Sequence, residues 1–182
     1  MAIVVVGGSG RGVGKTSLIC ALIAALPEIR WTAVKITHHD HGNPDAIWEE
    51  RAPGQRSDTG RYLAAGAERA LLVSASLPDI PILINELWAK LGPGVSVIIE
   101  SNRILEYLKP DLCLMVLDCA AGTDSKPSFS LAAPYADAIV VLPGAGPMQG
   151  EAWGSKPIFH LAELGCPSPA LLAWVRLALL HS

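Results

Sequence analysis

Short runs of apolar residues recur along the chain, separated by longer stretches with helical periodicity. The first run, Ile3 to Val6, is β-branched throughout, which is typical of a strand buried on both faces of a parallel sheet. The same criterion predicts further strands at Trp31–Thr37, Ala70–Ser74, Val95–Ile99, Leu112–Leu117 and Ala138–Leu142.

Helices are predicted between and after these strands. The helical repeat is clearest in Asp79–Leu91, because Leu83, Leu87 and Leu91 form one apolar stripe. The helices are predicted at Lys15–Leu26, Asp58–Ala65, Asp79–Leu91 and Pro169–Leu180. Strands that alternate with helices predict an α/β fold with three layers, in which a mostly parallel sheet carries helices on both faces.

A glycine-rich turn joins the first strand to the first helix and ends in Gly-Lys-Thr at positions 14–16. In the phosphate-binding pattern G-x-x-x-x-G-K-[ST] (Walker A), backbone N–H groups surround phosphate oxygens, the lysine reaches the β- and γ-phosphates, and the hydroxyl ligates Mg²⁺. Ser9 stands where the pattern has its first glycine, between Gly8 and Gly10. The sequence therefore predicts a fold of the P-loop NTPase type that binds a purine nucleoside triphosphate, GTP or ATP, with Mg²⁺. The predicted nucleotide-binding residues are Gly10, Arg11, Gly12, Val13, Gly14, Lys15, Thr16 and Ser17.

Two acidic residues follow buried strands and are candidates for the second magnesium contact. P-loop enzymes hold the ion with the loop hydroxyl and with an acidic residue at the end of a neighbouring strand. Glu100 and Asp118 both occupy such positions, although either carboxylate also suits a helix cap or a loop. Thr16 and Glu100 are the predicted metal residues, with Asp118 outside the site, and the choice of Glu100 rests on the resemblance described below.

A cluster of polar residues, His38, His39, Asp40 and His41, directly follows the second predicted strand. Ligands bind at the carboxyl ends of strands in open α/β sheets, and imidazoles with a carboxylate suit a metal, a proton relay or an anionic ligand. A polar exposed turn is the alternative. We predict that His38, His39 and Asp40 contact a ligand or partner. The whole segment 38–57 is predicted to be a long functional loop with one helical turn near Trp48.

Composition narrows the functional classes. The chain has 182 residues, which predicts a single domain over residues 1–182, and a net charge of -3 without a basic run, which argues against nucleic-acid binding. The start of the chain lacks the basic region of a signal peptide, and no apolar stretch reaches the roughly 20 residues that span a bilayer. The four cysteines form no C-x-x-C pair. A cytoplasmic protein without a membrane partner is expected.

Four blocks of the sequence together resemble the molybdopterin-guanine dinucleotide biosynthesis adapter family, the MobB-like P-loop proteins. The resemblance covers residues 1–118, and residues 119–182 are an unassigned part of the same predicted domain. The second and third blocks are the more specific, because the phosphate loop is shared by a very large superfamily. The blocks are Gly12–Leu18, Val34–Asp40 (VKITHHD), Pro53–Thr59 with the following Ala65–Ala67, and Val97–Glu100.

The resemblance implies a GTP-binding protein with weak GTPase activity, often dimeric, that works as an adapter beside the enzyme that attaches GMP to molybdopterin. It also implies the magnesium role of Glu100. Three positions depart from the family: Gln55 replaces a lysine, Ser101-Asn102 replaces glycine and an aromatic residue, and Ser9 replaces glycine. The apolar helix 169–180, whose only charge is Arg176, independently predicts a homodimer. The alternative is that this helix lies in a deep groove of its own subunit.

Three other functional classes remain open from the residues. A deviant P-loop ATPase has a second lysine five residues before the loop lysine, and that position is Gly10, with Arg11 one residue away. A small-molecule kinase would bind its acceptor at the histidine cluster, and a metal-inserting GTPase would carry its metal there. No Asn-Lys-x-Asp motif is present, so the preference for guanine comes from the resemblance alone.

Overall fold

The structure is a computed structural model that describes residues 1–38, 46–76, 79–118, 127–143, 154–163 and 165–180. Its centre is one eight-stranded sheet with the strand order β3-β4-β2-β5-β1-β6-β7-β8. The strands are β1 (Ile3–Gly8), β2 (Trp31–His38), β3 (Ala46–Glu49), β4 (Arg69–Ala75), β5 (Ser96–Glu100), β6 (Leu112–Leu117), β7 (Ala138–Val141) and β8 (Ile158–His160).

The sheet is parallel except at one edge. Only the pairing of β3 with β4 is antiparallel among these eight strands. The central strand β1 lies between β5 and β6, so that Val6 is in register with Glu100 and Gly8 with Val116. The carboxyl ends of these strands therefore meet at the edge where β1 leads into the glycine-rich turn.

Helices cover both faces of the sheet, which confirms the predicted three-layer α/β architecture. Alternate residues of β1 point to opposite faces: Val4 and Val6 pack with one apolar core and Val5 with the other. The first core contains residues of α1, α2 and α5, and the second contains residues of α3 and α4. The helices are α1 (Lys15–Ala25), α2 (Asp58–Ala64), α3 (Ile80–Leu91), α4 (Pro127–Ala132) and α5 (Pro169–Leu180).

Local contacts explain why α2 begins at Asp58. Ser57 is its N-cap, and its hydroxyl accepts a 3.0 Å hydrogen bond from the N–H of Gly60. Glu50 accepts hydrogen bonds from the hydroxyls of Ser57 and Thr59. A Cβ atom at Gly60 would lie 2.8 Å from the Ser57 hydroxyl oxygen, so a larger residue there would displace the Ser57 cap. These contacts hold Asp58 at the carboxyl end of the sheet.

The predicted helical turn near Trp48 is wrong. Residues 46–49 form β3, which pairs with β4 through Ile47 opposite Val73. Ile47 is partly buried against the second core, whereas Trp48 is 46% exposed, so this is an edge strand with one side chain packed inwards. Further short elements also escaped prediction, namely α4, β8 and the 3₁₀ turns at Arg103–Glu106 and Ala133–Tyr135.

The last helix packs on the first core through Leu171 and Val175, and it leaves Leu177 57% and Leu180 80% exposed. None of the helices within the described residues has the length and apolar content to cross a membrane.

Candidate functional site

The glycine-rich turn between β1 and α1 has the backbone of a phosphate-binding loop. Gly12 and Gly14 have φ angles of 73° and 82°, in the left-handed region that strongly favours glycine. A Cβ atom at Gly8 would lie 2.8 Å from Cγ2 of Val13 and 3.0 Å from the carbonyl oxygen of Val116. Val13 is buried in the first core and anchors the loop there. Gly10, Gly12 and Gly14 line the cleft.

Ser9, the departure from the motif, ties the loop to the neighbouring strand β6. Its N–H donates to the carbonyl of Val116 at 2.9 Å, and its hydroxyl accepts from the N–H of Asp118 at 3.2 Å. The Ser9 side chain is buried. The hydroxyl therefore satisfies a backbone N–H at the end of β6 that glycine would leave to another partner.

Lys15 and the start of α1 form a positive end of the cleft. The Nζ atom of Lys15 donates a 2.7 Å hydrogen bond to the carbonyl oxygen of Gly10, so the side chain lies back along the loop. No acidic residue lies in the first turn of α1. The N–H groups at a helix start and an adjacent ammonium together favour an anion at this position.

A buried hydrogen bond connects the loop to β5. The hydroxyl of Thr16 donates to Oε2 of Glu100 at 2.7 Å, and the hydroxyl of Tyr62 donates to the same oxygen at 2.5 Å. Burial, reinforced by the charge of Glu100, raises the pKa of Tyr62. Tyr62 therefore keeps its proton and acts as a donor that fixes the orientation of the Glu100 carboxylate.

The other oxygen of Glu100 belongs to an ion-pair network. Lys35, within β2, lies 3.2 Å from Oε1 of Glu100 and also contacts the carboxylate of Asp58 on α2. Burial by itself lowers the pKa of Lys35, but attraction to Glu100 and the contact with Asp58 outweigh burial and raise it. Lys35 is therefore an ammonium ion held between two carboxylates.

Asn102, just beyond β5, clamps the entry to the loop. Its Oδ1 accepts from the N–H of Gly8 at 2.8 Å, and its Nδ2 donates to the carbonyl of the same residue at 3.0 Å. Nδ2 also lies 3.4 Å from the hydroxyl oxygen of Ser128 on α4. One amide side chain thus fixes both backbone groups of Gly8.

One cavity of about 780 Å³ at the carboxyl end of the sheet is lined by the glycine loop together with Lys35, Asp58, Glu100 and Asn102. Its basic side chains outnumber its carboxylates five to two, since Asp58 and Glu100 are the only acidic residues among the described residues that line it. The basic residues are Arg11, Lys15, Lys35, Arg61 and Arg103. A cleft of this charge suits a polyanion.

The oxygen atoms at the loop fit a magnesium ion that a nucleotide helps to hold. Mg²⁺ prefers oxygen ligands and commonly uses one or two carboxylates together with phosphates and water. The Thr16 hydroxyl donates a hydrogen bond to Glu100, so its lone pairs remain available to a cation. The same hydrogen bond fixes the orientation of that hydroxyl. Within the part of the chain that the structure describes, no group of three or more His, Cys, Asp or Glu side chains could hold a metal.

The predicted residues largely converge on this cavity. Glu100 and His38 line it, together with every predicted loop residue except Val13, which lies beneath the loop. Asp118 is not among the described lining residues. His39 and Asp40 lie outside the described residues, so their predicted roles stay predictions. Lys35, Asp58, Arg61, Tyr62 and Asn102 were not predicted as site residues, although Lys35 and Asp58 lie in the second and third sequence blocks and Asn102 closely follows a predicted strand.

Comparison with known proteins supports the fold. No protein-family model and no curated protein matches the chain. Among solved structures, the chain is similar to LpxK from Aquifex aeolicus in complex with ATP, with a TM-score of 0.57 and 19% identity over 88% of this chain, and it spans 53% of the length of that chain. HypB from Helicobacter pylori in complex with nickel gives a TM-score of 0.51 and 15% identity over 98% of this chain and 85% of that chain.

The predicted P-loop NTPase type of fold is confirmed by these two structures. Bacillus subtilis MobB also matches, at a TM-score of 0.42 and 20% identity over 98% of both chains. Membership of the MobB-like family stays a prediction.

Proposed function

We propose that the chain binds GTP with Mg²⁺ at the phosphate loop, hydrolyses it slowly, and acts as an adapter in molybdenum-cofactor biosynthesis. The observation that carries the nucleotide site is the buried hydrogen bond from Thr16 to Glu100, at 2.7 Å, directly beneath the glycine loop. It joins the loop hydroxyl to a strand-end carboxylate, and these are the two groups that P-loop proteins use around magnesium.

Each residue at the loop has a defined task in this proposal. The N–H groups of residues 10–16 bind phosphate oxygens, and Lys15 exchanges the Gly10 carbonyl, 2.7 Å away, for a phosphate oxygen. Thr16 offers a lone pair to the cation, while Glu100 and Tyr62 hold its hydroxyl in position. Magnesium, when bound, neutralises charge on the phosphate chain.

Slow hydrolysis is supported by the state of the cavity's carboxylates. A fast hydrolase needs a group that orients or deprotonates the attacking water. Of the two carboxylates among the described residues that line the cavity, Glu100 accepts hydrogen bonds from Thr16 and Tyr62, and Asp58 lies 3.8 Å from the guanidinium of Arg61. Neither is therefore poised as a general base. This arrangement suits a protein that uses occupancy of its nucleotide site as a signal.

The preference for guanine and the adapter role are supported by the sequence blocks that resemble the MobB-like family. The cavity continues beyond the phosphate loop to His38 and Arg103. In this proposal, that end contacts the pterin nucleotide or the partner enzyme.

Calorimetric titration of the purified chain with GTP and ATP, each with Mg²⁺, tests the nucleotide proposal. GTP is expected to bind at least about tenfold more tightly than ATP, a difference of about 1.4 kcal/mol. Equal affinities would remove the guanine preference. Failure to bind either nucleotide would refute the proposed function. The adapter role predicts that the chain binds the enzyme that attaches GMP to molybdopterin more tightly with GTP than without it.

The cavity also favours a second candidate, a small-molecule kinase. A 780 Å³ cleft that runs from the phosphate loop to His38 and Arg103 has room for an acceptor beside the nucleotide. A kinase would transfer the γ-phosphate of labelled nucleotide to a small molecule from a metabolite extract, whereas an adapter would release it only as inorganic phosphate.

A further inference from the structure

Lys35 lines the cleft beside Asp58 and Glu100. Its Cα atom is in register with that of Glu100 on the neighbouring strand β5, so both side chains point to the same face of the sheet. The Lys35 side chain is only 20% exposed, and its ammonium contacts both Asp58 and Glu100. A positive charge therefore lies against the only two carboxylates among the described cavity residues.

These carboxylates need a cation nearby whether or not a nucleotide is bound. Glu100 is 7% exposed at its side chain, and a carboxylate buried to that extent is costly without a partner charge. The same two groups would attract a divalent cation placed beside Thr16. An ammonium and a divalent cation repel each other at such short range, so both are not favoured against the same pair of carboxylates.

Glu100 is held in place independently of Lys35. Its Oε2 accepts hydrogen bonds from Thr16 and Tyr62, whereas Lys35 contacts Oε1. If Lys35 moved, the two hydroxyl donors would still fix the carboxylate, with Oε1 open to a water or a cation. Lys35 has a flexible four-carbon stem and lines the same cavity as the phosphate loop, so its ammonium can turn from the carboxylates towards a bound phosphate chain.

We propose that the Lys35 ammonium is the counter-cation of Asp58 and Glu100 in the nucleotide-free chain, where it occupies the position of the divalent cation. When the magnesium nucleotide binds, the ammonium moves to the phosphate chain. This inference rests on the proposed nucleotide site and adds a positioning residue to it. Lys35 then has opposite effects on the affinities for the two ligands. It opposes binding of a divalent cation alone and supports binding of the nucleotide. A lysine that only stabilised the fold would support both or neither.

The test measures binding of Mn²⁺ alone, by electron paramagnetic resonance on the nucleotide-free full chain, and of metal-free GTP, by calorimetry with EDTA. Lys35→Met should bind Mn²⁺ about tenfold more tightly and GTP about tenfold more weakly than the wild type. Lys35→Arg keeps the charge and should keep both wild-type affinities. Lys109→Met removes an exposed lysine outside the described lining of the cavity and should change neither.

The outcomes separate the inference from the proposed function. Mn²⁺ affinity that is unchanged or weaker in Lys35→Met overturns the inference, even if the wild type binds GTP. A wild type that does not bind GTP refutes the nucleotide site, while the Mn²⁺ titration still decides whether Lys35 excludes a cation. If Lys35→Met does not fold, Lys35→Gln removes the charge but keeps a hydrogen-bond donor. It should also bind Mn²⁺ more tightly and GTP more weakly than the wild type.

Discussion

The hydroxyl of Thr16 lies 2.7 Å from Oε2 of Glu100, and both residues are buried. Thr16 is the second residue of α1, and Glu100 is the last residue of β5. The two are 84 positions apart in the sequence, and only the parallel pairing of β5 with β1 brings them together. Their hydrogen bond joins a strand-end carboxylate to the hydroxyl at the end of the phosphate loop, and both residues line the cavity.

The first prediction follows from this contact. Glu100→Gln removes the charge that orients the Thr16 hydroxyl, so the gain in GTP affinity on adding Mg²⁺ should fall about 10- to 100-fold. Asp118→Asn is the matched control on the next strand, and it should reduce that gain less. Calorimetry with and without Mg²⁺ measures both. The opposite ranking of the two variants would move the metal site to the end of β6.

A second prediction concerns the clamp of Asn102 on Gly8. Asn102→Ala removes two hydrogen bonds to the loop, so the free energy of unfolding should fall by about 1–3 kcal/mol and GTP binding should weaken. Asn102→Asp keeps an acceptor for the Gly8 N–H but adds a negative charge beside the phosphate site. It should therefore weaken GTP binding more than alanine does.

The matched controls for that pair are Asn85→Ala and Asn85→Asp, because Asn85 is an exposed residue of α3. Urea denaturation and calorimetry should find both controls close to the wild type. If both Asn102 variants bind GTP as tightly as the wild type, the clamp has no role in shaping the loop.

The third prediction distinguishes the functional classes at the histidine cluster. The Nδ1 atom of His38 lies 3.0 Å from the carbonyl oxygen of Ala75, and His38 lines the cavity. The double variant with His38→Ala and Asp40→Ala should spare GTP binding and abolish coupling to a partner enzyme. His160→Ala, an exposed histidine on the edge strand β8, is the control and should retain coupling.

Other results with the same double variant identify other functions. Loss of Zn²⁺ or Ni²⁺ binding would indicate metal insertion, and loss of phosphate transfer to an acceptor would indicate a kinase. A collapse of GTP affinity with the fold retained would assign the cluster to the nucleotide site itself. If the double variant behaves like the wild type in every assay, the cluster is only a polar turn.

A fourth prediction is that the chain forms a homodimer through α5. The helix buries Leu171 and Val175 but leaves Leu177 57% exposed, an apolar face that a second copy would cover. Light scattering at micromolar concentration should give twice the chain mass of 19.2 kDa. Leu177→Glu should weaken association by about tenfold or more, whereas Leu131→Glu, at a 58% exposed position on α4, should not. A monomer mass for the wild type contradicts this prediction.

The sequence revealed those parts of the site that depend on local pattern. The glycine loop precedes a helix and follows an apolar strand, and Glu100 ends another such strand, so both were predictable. The contacts of Asp58 and Tyr62 with the Lys35–Glu100 pair were not, because they depend on how α2 packs against the sheet. Edge strand β3 was missed for a similar reason: Ile47, its apolar residue that packs against the second core, acquires a partner through pairing with β4.

The most direct test of the central claim is titration of Lys15→Ala with GTP and Mg²⁺ beside the wild type. Lys15 starts α1 and lies 2.7 Å from the Gly10 carbonyl oxygen, and its ammonium is expected to neutralise phosphate charge. The variant should lose about 100-fold or more in GTP affinity and keep the wild-type melting temperature, while Lys109→Ala should retain both. If Lys15→Ala binds GTP as tightly as the wild type, the glycine loop is not the nucleotide site.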